Sequence, residues 1–262
     1  MCQTDTNICQ GDILALLPRW RNWQTHYVQV VAPIRAWEFK SPPRHMSFKA
    51  IFFDNDGLLV DTEGLYFQSI QEVFAPVGIE ISREWYIREN LGTGRSSFEL
   101  AKEKGFSEEE IAKLRRERNE RYGELLREKV RPIDGIPEVL AMLHGKFLMG
   151  VVTSSRKVHF DIIMEMTGLR HFFSFFITEQ DVRNLKPDPE PYLKAVELSG
   201  QTKEHCLVLE DSFRGVQAAK AAGLTCYAIP DELTRVQDFS IADKVLKSIR
   251  ELPRIILADW SL

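Results

Sequence analysis

Two aspartates two positions apart, Asp54 and Asp56, follow the apolar run Ile51-Phe52-Phe53 and precede Gly57. In an extended segment such residues share a side, with Cα atoms about 6.5 Å apart. That spacing leaves room for two roles: one carboxylate attacks an electrophile while the other handles the leaving group's proton. Gly57 lets the chain turn sharply behind them. Alone, the pair reads first as two solvated loop acids, since loops are rich in Asp. Glu210 and Asp211, after Leu207-Val208-Leu209, add two more carboxylates. Four acids facing one crevice would repel each other and any phosphate unless a hard cation joined them. Oxygen donors with no His or Cys at ligand spacing point to Mg²⁺ and away from Zn²⁺.

Lys186, in the stiff segment Lys186-Pro187-Asp188-Pro189, supplies a fixed positive charge that can neutralise Asp54 and incoming phosphoryl oxygens together. Thr153, followed by Ser154 and Ser155, offers a hydroxyl and the backbone N–H groups of a helix start, an anion cradle. Singly, Lys186 reads as a surface lysine and Thr153 as an N-cap. Their shared position at strand ends gathers them, because an open parallel sheet binds ligands beyond the carboxyl ends of its strands.

The pattern around these residues alternates strand and helix. Apolar runs of strand length lie at 50–53, 148–152, 173–177, 207–209 and 226–229. Several are apolar throughout, as strands buried on both faces should be. Helices are expected at 157–167, 189–199 and 213–222, each followed by a glycine placed to close it: Gly168, Gly200 and Gly223. The outline is a doubly wound parallel sheet, an α/β fold of Rossmann-like plan. Between the first two strands lie roughly 90 residues with no comparable run, far more than a crossover helix needs. Stretches 65–77, 83–90, 96–104 and 107–129 read as helices there, the last opened by a Ser107–Glu110 capping box. This gives a helical cap at 64–131, hinged near Thr62 and Pro132, on a core made of 47–63 and 132–262.

With 34 Lys+Arg against 38 Asp+Glu, a net charge of −4 and 44% hydrophobic residues in 262, the composition is that of a soluble globular protein. It excludes disorder over most of the length, and its acidic balance argues against nucleic-acid or membrane-surface binding. No apolar run reaches the roughly 18 residues of a membrane span, and no basic residue precedes the short run at 13–17 as in a signal peptide. Cys2, Cys9, Cys206 and Cys226 form no C-x-x-C pair, and a cytoplasmic monomer or weak homo-oligomer is expected. Residues 1–46 read as an atypical N-terminal extension. They hold three Trp and no regular period, resemble a transfer-RNA gene translated on the wrong strand, and leave Met46 as the expected native start.

Four pieces, D-N-D-G-L-L-V-D-T at 54–62, V-V-T-S-S at 151–155, K-P-D-P at 186–189 and L-E-D-S-F-R-G-V-Q-A-A-K-A-A-G at 209–223, resemble in order and context the haloacid dehalogenase-like hydrolase superfamily. The similarity is to its helical-cap branch, which includes β-phosphoglucomutase and phosphoglycolate phosphatase, and it spans about 48–249. It implies that Asp54 is the nucleophile, forming an aspartyl-phosphate, and that Asp56 is general acid and then base. It implies too that Asp54 and Asp211, with the Asp56 backbone carbonyl and Glu210, hold Mg²⁺, while Thr153, Ser154 and Lys186 bind the phosphoryl group. Dehalogenases of the superfamily lack an acid at the place of Asp56, so carbon–halogen cleavage is not expected.

The segment Leu91-Gly92-Thr93-Gly94-Arg95 resembles the cap loop that sets an arginine on the substrate's far anionic group, which makes Arg95 the expected specificity residue. Tyr66 stands where the mutase pattern has a histidine, a departure that favours a phosphatase. The charged stretch 107–129 reads as a solvated face with i,i+4 pairs and is given no function; His144, His159, His171 and His205 read as structural. The expected activity is that of a Mg²⁺-dependent phosphatase acting on a small phosphorylated metabolite. A phosphomutase and a catalytically idle phospho-ligand binder are the rivals.

Overall fold

The computed structural model describes residues 48–257, so the expectations for residues 1–46 lie outside the described residues. The chain opens with strand β1 (Ala50–Phe53) and then enters the inserted helices α1 (Glu63–Phe74), α2 (Arg83–Trp85), α3 (Ser97–Glu103) and α4 (Glu108–Lys129). It returns through α5 (Ile136–Leu143), β2 (Leu148–Val152), α6 (Lys157–Thr167), β3 (Phe175–Ile177), α7 (Glu190–Ser199) and β4 (Cys206–Glu210). The last elements are α8 (Phe213–Ala221), β5 (Thr225–Ala228), β6 (Lys244–Val245) and α9 (Leu252–Ile256).

The strands form one six-stranded parallel sheet in the order β3-β2-β1-β4-β5-β6. The order reverses between β1 and β4, the switch point beyond which such a sheet opens its crevice. Register fixes what meets there. Phe53 lies opposite Val151 on one side and Leu209 on the other, so the next residues, Asp54, Val152 and Glu210, come level. Phe52 and Phe53 are fully buried in opposite layers, Phe53 with α5 and α6, Phe52 with α7 and α8. Each such ring contributes roughly 2 to 3 kcal/mol by leaving water, which is why the central strand tolerates no polar residue before Asp54.

Two expectations shift. The third strand starts at Phe175, because Phe173 closes a 3₁₀ turn over Leu169–Phe172. The sixth strand, two exposed residues at the sheet edge, has no apolar run to announce it. The stop glycines Gly168 and Gly200 stand at φ 68° and 62°, the left-handed region that closes a helix at least cost without a Cβ. Ser107 and Glu110 form the expected capping box on α4.

The inserted helices carry their own apolar cluster, built on Ile70, Phe74, Tyr86, Phe98, Ile111 and Leu114. Farther along α4, Tyr122 and Leu126 pack into the main core instead. The two chain crossings into and out of the insertion lie side by side. Val60 bridges Pro132 in antiparallel sense, Asp61 N–H donates to Arg131 O at 3.3 Å, and Ile133 N–H donates to Leu59 O at 3.0 Å.

Candidate active site

Lys186 is the hub at the end of β1. Its Nζ donates to Asp54 Oδ1 at 2.5 Å, to Glu210 Oε1 at 2.6 Å and to the Val152 carbonyl at 2.7 Å. An ammonium has three protons, and all three are used. Burial works to lower the Lys186 pKa, but the carboxylates of Asp54 and Glu210 outweigh it and hold the group above its ordinary range. It is therefore a permanent cation that lines the same cavity as Asp54. Glu210 is fully buried and bonded through both oxygens: Tyr192 Oη donates to Oε1 at 2.5 Å and Ser212 Oγ to Oε2 at 3.2 Å. Gly215 is what lets it fit, since a Cβ there would lie 1.9 Å from the Glu210 carboxyl carbon.

Asp56 sits among hydroxyls. Thr62 Oγ1 donates to its Oδ1 at 2.7 Å; Ser155 Oγ and Thr153 Oγ1 donate to Oδ2 at 2.5 and 3.2 Å. Hydroxyls can turn to donate or accept, so they hold this carboxyl in either protonation state. Thr153 in turn accepts from Ser155 N–H at 2.9 Å. Ser154 lines the cavity, exposed, but the hydroxyl reaching Asp56 belongs to Ser155.

Carboxylate oxygens of Asp54, Glu210 and Asp211 lie within 4.8 Å of one another. Burial, joined by repulsion from Asp54 and Glu210, pushes the Asp211 carboxyl well above its usual range. Burial also pushes Asp54 up, against the pull of Lys186 and with Glu210 and Asp56 adding repulsion. One ammonium among three buried acids leaves negative charge to be matched, and the donors are hard oxygens, the set that suits Mg²⁺. The backbone is shaped for it: at Gly57, φ 82°, a Cβ would lie 2.3 Å from Asp211 Oδ2. Lys186 and Tyr192 both bond Glu210 Oε1, and the Glu210 carboxylate stays within 4.8 Å of those of Asp54 and Asp211, close enough to share a cation with them. Glu210 thus anchors Lys186 and is also one of the three acids that could hold a cation.

These groups form the floor of a cavity of about 860 Å³ whose opposite wall comes from the inserted helices. Glu63, Tyr66 and Tyr86 line it, as do Arg115, Arg118, Asn119 and Tyr122 from one face of α4. The reading of α4 as a solvated face thus fails on this side. Arg95 does not line the cavity. Its guanidinium lies 2.5 Å from Glu103, 3.7 Å from Glu99 and 3.8 Å from Glu89, three acids that hold it on the surface of the insertion. Of the histidines, His159 lines the wall, its Nε2 3.0 Å from the Asn119 carbonyl and its ring edge-on to Tyr122.

Sequence reasoning missed Thr62, Ser155, Tyr192 and the α4 arginines. Thr62 and Ser155 lie inside the quoted motifs and carry the hydroxyl type already credited to Thr153. Tyr192 carried a weaker signal, an aromatic two residues past the helix start.

A model of the haloacid dehalogenase-like hydrolases matches residues 51–229. The chain belongs to that family. It is accordingly a phosphoric monoester hydrolase of the branch with an inserted helical cap. Protein CbbY of Rhodobacter capsulatus is 32% identical over 210 residues, covering 76% of this chain and 92% of that protein. Hexitol phosphatase B of Escherichia coli (strain K12) is 30% identical over 220 residues, covering 81% and 96%. The crystal structure of CbbY from Rhodobacter sphaeroides in complex with phosphate superposes with a TM-score of 0.69 at 29% identity, covering 78% of this chain and 96% of that one. Among the described residues no helix is long and apolar enough to cross a membrane.

Proposed function

We propose that this protein is a Mg²⁺-dependent phosphatase that hydrolyses a small sugar phosphate through an aspartyl-phosphate on Asp54. One observation carries the reading: Asp54 is pinned through Oδ1 by a permanent ammonium, 2.5 Å away, while Asp56 stands at the same cavity floor among three hydroxyls. The names of the relatives support the substrate class. Mg²⁺ held by Asp54, Glu210 and Asp211, with the Asp56 carbonyl, would supply charge neutralisation for the phosphoryl oxygens.

In the first half, Asp54 Oδ2 attacks phosphorus in line with the ester oxygen; the P–O ester bond breaks as the Asp54–phosphorus bond forms. Asp56, protonated, delivers its proton to the departing oxygen, so the sugar leaves as an alcohol. In the second half Asp56, now a carboxylate, takes a proton from water as that water attacks phosphorus, which releases phosphate and restores Asp54. Lys186 stabilises the charge throughout, and Thr153 and Ser155 keep Asp56 aimed. Residues 64–131 serve as the cap that excludes bulk water in the first half.

Tyr66 argues for hydrolysis over the mutase reaction. Burial holds its phenol above its ordinary range despite the nearby Arg118, so at neutral pH it stays protonated and is a poor substitute for a proton-relaying histidine. The free thiols Cys206 and Cys226, both buried, suit a reducing cytoplasm.

The test is phosphate release from a panel of sugar phosphates and an aryl phosphate, with and without Mg²⁺. Mg²⁺-dependent release that vanishes in Asp54→Asn is the expected result. No release from any compound, or release that survives Asp54→Asn, overturns the reading.

A further inference from the structure

We propose that Tyr192 is a positioning residue of this site: it divides the Glu210 carboxylate between two duties, holding Oε1 on Lys186 so that Oε2 stays available to Mg²⁺. This rests on the phosphatase reading and adds to it a residue that acts only through another side chain. Tyr192 is fully buried and does not line the cavity, so it meets no substrate.

The division follows from counting donors. A carboxylate oxygen offers two lone-pair directions. Both of those on Oε1 are taken, one by Lys186 Nζ at 2.6 Å and one by Tyr192 Oη at 2.5 Å. On Oε2 the one hydrogen-bond donor among the described residues is Ser212 Oγ, at 3.2 Å, which leaves a lone pair open. Carboxylate oxygens of Glu210, Asp54 and Asp211 stand within 4.8 Å of one another. Oε2 is therefore the oxygen that a hard cation can take without displacing Lys186.

Lys186 by itself would not keep that division. An ammonium is a compact charge that attracts either oxygen, and a carboxylate free to pivot about its last bond can turn both toward it. The phenol hydroxyl removes this freedom by fixing Oε1 from a second direction with a charge-assisted bond. The ring acts on the other member of the pair: its centroid lies 4.9 Å from Lys186 Nζ, so its negative face steadies the ammonium while the hydroxyl steadies the acceptor. One buried side chain thus holds both partners of the ion pair. Lys186 and Tyr192 belong to the single stretch that leads into α7, and Gly215 leaves the space in which the Glu210 carboxyl sits.

Tyr192→Phe keeps the ring and deletes the hydroxyl, which isolates the division of Glu210. Calorimetric titration of Mg²⁺ into the metal-free full chain, with no substrate present, should give a dissociation constant about tenfold higher for the variant than for the wild type. At saturating Mg²⁺, kcat should fall several-fold while KM for the best sugar phosphate is little changed. In a Glu210→Gln background, where no charge is left to divide, Tyr192→Phe should add less than about twofold to the loss in kcat. Ser212→Ala removes the donor on the other oxygen and should raise the Mg²⁺ dissociation constant far less than Tyr192→Phe does. Equal or tighter Mg²⁺ binding by Tyr192→Phe, losses in the double variant that multiply in full, or a tenfold rise in Ser212→Ala overturns the inference and leaves the phosphatase standing. A wild type that binds Mg²⁺ but releases phosphate from no compound overturns the phosphatase, and the titration still judges Tyr192. Thermal melting checks that each variant folds; should Tyr192→Phe fail, the Ser212→Ala titration decides.

Discussion

The floor and the insertion-side wall of the cavity are built on opposite terms. On the floor most charged groups are tied to protein partners: Lys186 to Asp54, Glu210 and a carbonyl, Asp56 to three hydroxyls, Glu210 to a tyrosine and a serine. On the wall, Arg115 and Arg118 rest on aromatic faces, and Arg118 Nε has no hydrogen-bond partner among the described residues. The difference teaches how one fold divides its tasks. Geometry that must be ready before a substrate arrives is fixed by internal partners at a parallel-sheet switch point, whereas the opposite wall is held by contacts with rings.

That contrast can be broken experimentally. Damage to the floor should appear in kcat and damage to the wall in KM. The largest effect is expected from Asp54→Asn, which removes the nucleophile and should cut kcat on the order of 10³-fold or more; single-turnover phosphate release measures it. Next comes Glu210→Gln, which keeps the shape but strips the charge that secures Lys186. A loss of about 10- to 100-fold in kcat is expected, the usual size for a residue that positions a functional group, with KM little changed. A parallel loss in KM would mean that the floor is less self-contained than described. Gly57→Ala tests the metal side. Its Cβ would collide with Asp211 Oδ2, and the Mg²⁺ concentration for half-maximal rate should rise about tenfold.

The smallest effect concerns Glu63, which lines the cavity from the insertion side. Burial, partly offset by the Tyr86 hydroxyl and reinforced by Asp56, raises its pKa from 4.5 to about 7. The folded state then binds a proton that the unfolded chain releases, so this group's contribution to stability is largest below the ordinary carboxylate range and is lost as pH rises from 4.5 to about 7. Glu63→Gln should remove that slope. Compared with the variant, the wild type should lose about 1 to 2 kcal/mol between acid and neutral pH, allowing for solvent at the cavity mouth. Thermal melts of both proteins across that range test it, and parallel curves would contradict it.

The floor was legible in the sequence because its physics leaves unbroken marks. Strands buried on both faces must be apolar at every position, so five of the six announced themselves, and polar residues at their carboxyl ends stood out against those runs. Strand β6 left no mark, being two exposed residues, Lys244 and Val245. The wall was hidden for a different reason. Along α4 acids and bases alternate densely, and the sum looks like a solvated surface. Which arginines lack acids depends on partners far away in sequence, as with Arg121 and Glu72, 49 residues apart. Arg95 misled for the same reason: its loop fits a pattern, but whether Glu89, Glu99 and Glu103 capture its side chain is decided by folding. Glu210 hid a second part, the anchoring of Lys186, because the partners that fix it, Lys186 and Tyr192, meet it only in space.

The two backbone crossings beside Val60 and Pro132 have a mechanical consequence. Because they are hydrogen-bonded to each other, the insertion is fastened along a seam and not by two independent cords. A body fastened along a seam swings readily about that line and resists twisting across it.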